Sequence, residues 1–391
     1  MKGRMKSRSE INISSAAVFM YFFSMLLVNQ NNGSIYRLLY YTVITACTVV
    51  FVYKNGRITY RFMALLTAVM CLTVVNHVLV GNLTYTHMFV YFTAFFIALL
   101  FIDEKVSSKV YLTAVLMNAA VVVFHVATEG FGHRVYVNSS NNYISVHLLT
   151  PLVMYYIAAE KEKRNISLVP AFICWVLSSF GGRGGFISLT LLLGALFLYK
   201  YVRLCKKLSQ KIALVVILIM IALPAVITLS PALIARYSSL AVVERFINKG
   251  FDGAGRLTGW EEYMQSLHSF RNLVFGTRIR KLTWASRFNG NLHNSFLFIH
   301  AYMGAFGIVF VFVCLVRNTV YSVKNRKWIY LISLTAFCVR SFTDHVFGCN
   351  RITPVFIFLL LYPQLLAINE KRAVFLKEYS AETRGLSVNE Q

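Results

Sequence analysis

The sequence predicts an all-α, polytopic integral membrane protein with about twelve transmembrane helices and one large extracytoplasmic loop. Three observations predict it. Apolar residues make up 57% of the 391-residue chain and charged residues only 14%, against about 25% charged in soluble proteins. The apolar residues run in continuous stretches and do not alternate over about ten residues, which argues against a β-barrel. Phe (32) and Tyr (22) are abundant, as in chains with aromatic residues at the membrane interface. This composition excludes a soluble enzyme, a disordered chain, a disulfide scaffold and a nucleic-acid-binding domain.

A membrane helix needs roughly 20 mostly apolar residues. The stretches that qualify are 12–29, 36–53, 62–81, 86–102, 110–128, 144–159, 166–180, 185–202, 212–230, 293–316, 328–343 and 353–369. The first follows MKGRMKSRSE, as a signal peptide would, but no small-residue cleavage site follows it. It reads as a retained first helix. Residues 1–369 therefore form one transmembrane domain, and 370–391 a polar tail.

Lys and Arg set the orientation. With both termini cytoplasmic, the short cytoplasmic segments hold 25 of the 39 basic residues. Nine of the remainder lie in the loop 231–292, among them Arg256, Arg278 and Arg280. Four acidic residues leave that loop net positive, against the usual trend. Long loops translocate whatever their charge; alternatively, the cations are there for an anionic ligand.

Three segments could carry chemistry. In Gly181-Gly182-Arg183-Gly184-Gly185, glycines permit a sharp bend and a close approach to a ligand, and a guanidinium can grip a phosphate bidentately. The bland reading is a flexible hairpin with a snorkelling arginine. In Gly255-Arg256-Leu257-Thr258-Gly259-Trp260-Glu261, Thr258 and Glu261 have capping-box spacing, so a helix should start there. Its stripe of Trp260, Tyr263, Met264, Leu267 and Phe270 would lie at the membrane interface, and Arg256 would precede an anion-favouring N-terminus. In Asn291-Leu292-His293-Asn294-Ser295-Phe296-Leu297, His293 carries an imidazole suited to acid–base work or to a phosphate; it could equally be an interfacial histidine bonded to backbone. Gly304 and Gly307 follow and favour close packing. Arg340, Asp344, His345 and Arg351 cluster between the last two spans, where Arg340–Asp344 reads as either a site or an i,i+4 pair. No metal-ligand motif is present, and the cysteines in apolar runs read as small core hydrophobes.

In order and sidedness, these segments resemble the O-antigen ligase and polymerase superfamily. Arg183-Gly184 opens a span, Gly255-Arg256 precedes Trp260 in the outer loop, and Asn272-Leu273-Val274-Phe275-Gly276 follows. His293-Asn294-Ser295-Phe296-Leu297 then leads to Gly304 and Gly307. The resemblance covers roughly 166–316. It implies a glycosyltransferase type C-like architecture in the bacterial inner membrane. It also implies inverting, metal-independent transfer of a glycan from undecaprenyl pyrophosphate, without cofactor. Membrane lipid and a chain-length regulator protein are the further partners implied. Carried onto this chain, Arg183 and Arg256 bind the pyrophosphate and His293 assists the acceptor hydroxyl. Arg278, Arg280, Asn294, Arg340 and His345 are the additional substrate-binding candidates. Asp252, Glu261, Glu262 and Asp344 are the carboxylates available as general base. The expected function is polymerisation of lipid-linked repeat units; the alternatives are ligation to lipid A–core, and a lipid-linked sugar flippase or transporter.

Overall fold

The structure, a computed structural model, describes residues 12–31, 33–55, 60–103, 106–130, 133–204, 255–288, 290–348, 350–364 and 366. The expected span 212–230, loop residues 231–254 with Asp252, and the tail 370–391 lie outside the described residues.

The described residues are helical, with no strand. The helices are α1 (Ile13–Gln30), α2 (Ser34–Asn55), α3 (Tyr60–Leu79), α4 (Tyr85–Phe101), α5 (Ser108–Glu129), α6 (Ile144–Lys161), α7 (Val169–Ser178) and α8 (Arg183–Leu204). Three short loop helices follow: α9 (Arg256–Gln265), α10 (Phe270–Phe275) and α11 (Thr283–Arg287). The chain returns to the bundle in α12 (Ser295–Lys324), α13 (Trp328–Phe342) and α14 (Thr353–Gln364). By length and composition, α1, α2, α5, α8 and α12 can each cross a membrane. Residues 63–79 of α3, and α4, α7, α13 and α14, are apolar but shorter.

The bundle is organised around α6. Every residue from Ile144 to Ala159 is buried, so this helix is apolar on all faces and has no solvated stripe. It packs on α5, α7, α8 and α13. In lipid, apolar burial gives little net drive between helices, so close packing and interhelical hydrogen bonds hold such a bundle together. Those bonds gather at its two ends. At one end Ser14 Oγ donates to Asp103 (2.5 Å), the backbone and hydroxyl of Ser108 donate to Glu162, and Lys161 Nζ donates to the Ile102 and Asp103 carbonyls. At the other, Asn138 Nδ2 donates to the Val28 and Asn31 carbonyls, and Arg351 donates to Asn29 Oδ1.

α12 is broken at Gly304, whose φ of 64° and ψ of −162° are not helical. The carbonyl of Val274, at the end of α10, occupies the space a Cβ would need at this glycine. The break leaves the Ala301 carbonyl to accept from Asn76 and Asn82, each at 2.8 Å. Gly304 thus receives the loop between α8 and α12, whereas at Gly307 a Cβ would meet Met303 and Ile299 of α12 itself.

Candidate functional site

The second end of the bundle gathers the polar residues of the three motifs. α13 ends at Phe342, and the chain continues through Thr343, Asp344 and His345 across the N-terminus of α12. Ser295 fixes this crossing. Its hydroxyl donates to the Asp344 carbonyl (2.8 Å) and accepts from Val346 N (2.7 Å).

Asp344 is 1% exposed. One carboxylate oxygen accepts from His293 Nδ1 (3.2 Å) and from His345 N (2.9 Å); the other accepts from Arg340 (3.1 Å). Burial alone would raise this carboxyl. The Arg340 guanidinium, the hydrogen bond and charge of His293, and the charge of Arg256 outweigh burial and hold it well below the usual carboxylate range. Asp344 is therefore ionised at neutral pH.

His293 precedes the helix, with a left-handed φ of 49°. Its N–H donates to Asn291 Oδ1 (2.8 Å). Its ring meets Trp284 and Phe288 edge-on, with centroids 6.1 and 5.7 Å away. Those rings and Asp344 fix the imidazole, and its side chain keeps 16% exposure. With Nδ1–H directed at the carboxylate, Nε2 is the acceptor, the arrangement of a histidine oriented for proton transfer. A non-glycine residue held at positive φ fits a site that must aim a side chain.

Arg256 opens α9, and its Nη1 donates to the Thr343 carbonyl at 2.7 Å. Arg183 opens α8 and is half-buried. The next residue, Gly184, is pressed so closely against Thr343 that a Cβ there would collide with that side chain. Arg256 and the His293–Asp344 pair thus meet at Thr343 and Asp344 across 87 and 51 residues of sequence, and the backbone just after Arg183 packs on the same segment.

The structure revises some of these expectations and places the other candidate residues. The glycines around Arg183 are explained by the chain itself: Cβ atoms at 181, 182, 184 and 185 would collide with Asn141, Asn142, Thr343 and Ser145. The loop helix starts at Arg256, not at a Thr258–Glu261 box, because Gly255 adopts a left-handed φ of 67° and caps it. Its apolar stripe is split. α9 stops at Gln265; Tyr263 is fully buried against His300, whereas Met264 and Phe270 are exposed. Asn294 is the N-cap of α12, with Oδ1 accepting from Phe296 N and Leu297 N, so its amide is engaged in structure. Arg340 is not placed to contact substrate. It is 1% exposed and donates to Ser145, Asn142, Thr343 and Asp344. Among the carboxylates, Glu262 caps α11 by accepting from Thr283 N and Trp284 N, and Glu261 is exposed. Arg278 and Arg280 are exposed, beside Gly81 and Gly290 respectively. His345 faces a separate cavity, stacked on Phe298 at 3.7 Å, with Nε2 bonded to the Gly348 carbonyl. Burial lowers its pKa to about 4.

Trp260 ties the loop to this centre by donating from Nε1 to the Leu292 carbonyl at 2.9 Å, one residue before His293. Among the described residues, no group of three His, Cys, Asp or Glu side chains could hold a metal ion. No family model, curated protein or solved structure matches the chain.

Proposed function

We propose that the protein is a membrane glycosyltransferase that polymerises undecaprenyl-pyrophosphate-linked oligosaccharide repeat units on the outer face of the bacterial inner membrane. The observation that carries this reading is the meeting of Arg256 and the His293–Asp344 pair at residues 343–344, with Gly184, the residue after Arg183, packed on the same segment. Arg340 and Asp344 balance one another, so the charge offered to an anion comes from the two motif arginines. A pyrophosphate leaving group suits two guanidiniums.

The chemistry is a single displacement. The acceptor hydroxyl oxygen forms a bond to the anomeric carbon of the donor sugar, and the bond from that carbon to the pyrophosphate oxygen breaks, inverting the centre. The hydroxyl proton goes to His293 Nε2, and Asp344 holds Nδ1–H and stabilises the cationic ring. Undecaprenyl pyrophosphate departs as an anion stabilised by Arg183 and Arg256. In this reading the Asn29–Asp344 end of the bundle faces outward, both termini are cytoplasmic, and the chain crosses the membrane about twelve times in a type C-like arrangement.

The test is reconstitution of the full chain in liposomes with undecaprenyl-pyrophosphate-linked repeat units. A ladder of longer lipid-linked glycans is expected, lost in Arg256→Ala and His293→Ala at normal protein level. Transfer only to lipid A–core would make the protein a ligase. Movement of labelled lipid with no new glycosidic bond would make it a flippase.

A further inference from the structure

A second feature of this end is a cavity of about 390 Å³, within the size range of small-molecule sites. Its walls come from α1, α2, α4, α6, the 138–143 segment and the chain after Asp344. It is lined by amides and phenols, including Asn29, Tyr40, Asn138 and Tyr143, with imidazoles from His87, His147 and His345.

His147 forms part of this wall. It is 4% exposed, and its Nε2 is buried with no hydrogen-bond partner among the described residues. Its Nδ1 lies 3.5 Å from Asn29 Nδ2. A buried polar nitrogen left unsatisfied is costly, but this one has almost no open surface, so the lining as a whole, not this atom, determines what the cavity can hold. No carboxylate lines the space, and its one guanidinium, Arg351, already donates to Asn29 Oδ1 and lies 6.0 Å from the Tyr40 ring centre. That does not suit a metal cation or a pyrophosphate. Groups that both donate and accept, beside flat rings, suit a ligand carrying many hydroxyls on a partly apolar frame.

We propose that this cavity is a saccharide subsite, holding an uncharged sugar ring of the glycan beside the His293 centre. The assignment rests on the glycosyl-transfer reading and deepens it. The two places are joined by adjacent residues: Tyr143 on the cavity wall donates to the His345 carbonyl (2.7 Å), and His345 follows Asp344, which holds His293.

The test is saturation-transfer NMR on the purified full chain in detergent micelles. The probes are free glucose, galactose, N-acetylglucosamine and rhamnose, with inorganic pyrophosphate as control. At least one sugar should bind. His147→Phe, which replaces a polar part of the cavity wall with an apolar one, should weaken it about tenfold or more, and His147→Gln, which keeps that part polar, by about threefold or less. Thr86→Trp blocks the exposed edge of the same cavity without touching His147, and should weaken binding even if His147→Phe does not fold. Pyrophosphate binding should be unchanged in all three. The proposal is overturned if no sugar binds, or if binding is indifferent to both Thr86→Trp and the His147 variants. Failure of the two readings is separable. Cavity-dependent sugar binding without elongation of lipid-linked repeats removes the polymerase reading and keeps the subsite. Elongation that needs Arg183 and Arg256 without cavity-dependent sugar binding does the reverse.

Discussion

Asp344→Asn preserves the side-chain shape and removes the charge shared by His293 and Arg340. The stability cost follows from Arg340. Breaking a buried ion pair costs about 3–5 kcal/mol when the remaining charge is stranded. Here the guanidinium keeps its bonds to Ser145, Asn142 and Thr343, which places the loss at the lower end, about 3 kcal/mol. The catalytic cost is separate. An amide facing His293 can present its NH2 to Nδ1, which favours the tautomer with Nε2 protonated and removes the acceptor. Loss of the correct tautomer costs on the order of 10³–10⁴ in rate. The assay is elongation of lipid-linked repeats in liposomes, normalised to folded protein and read beside a thermal unfolding curve. Arg340→Met is the comparator. It should lower the melting temperature while leaving the His293–Asp344 hydrogen bond able to form, so its loss of rate per folded molecule should be smaller. If Asp344→Asn elongates at near the parent rate per folded molecule, Asp344 does not orient a catalytic histidine.

Other outcomes are equally specific. Arg183→Ala should abolish elongation and Arg183→Lys restore only part of it, because lysine keeps charge but not the planar fork; a fully active alanine variant at normal expression would remove Arg183 from the site. Gly185→Ala should destabilise by about 1–3 kcal/mol or more, because the new methyl group falls on the Ser145 side chain, and Ser145→Gly should rescue it. His345 makes stability depend on pH. Its folded pKa, lowered by burial to about 4, lies below the unfolded value of about 6.5. The unfolded chain thus binds more protons between these values, and stability falls as pH drops through that window. The melting temperature measured from pH 7 to 4.5 should show this fall, and His345→Phe, which can keep the ring stack on Phe298, should flatten it. The Asp344 carboxyl stays ionised in the fold throughout that range, so its pairs are lost only in stronger acid.

Helix positions were readable because uninterrupted apolar runs have few alternatives to helix. Helix ends were less so: Gly255 caps α9 through a left-handed turn, and nothing in Thr258 and Glu261 reveals that a cap three residues earlier prevails. The chemical types at the centre were also readable, since Arg183, Arg256 and His293 each stand out in their motifs. Their mutual placement was not. Asp344 was one of four candidate carboxylates, and its bond to His293 spans 51 residues. Glycines beside an arginine look the same whether they make way for a ligand or for Thr343 and Ser145. The cavity around His147 was illegible for a related reason: its lining comes from four helices and two connecting segments, each contributing residues that are unremarkable in their own stretch of sequence.

The chain order of the centre bears on how the protein is made. Arg183 and Arg256 emerge early in synthesis, but the Thr343 carbonyl that Arg256 grips and the carboxylate that orients His293 belong to the turn after α13. A ribosome-bound chain inserted only through α12 carries the cations and the imidazole without the segment that organises them. Under the proposed glycosyl-transfer reading the centre is therefore completed late in biogenesis, and a product truncated before residue 344 should be inactive however much of its helical scaffold it retains.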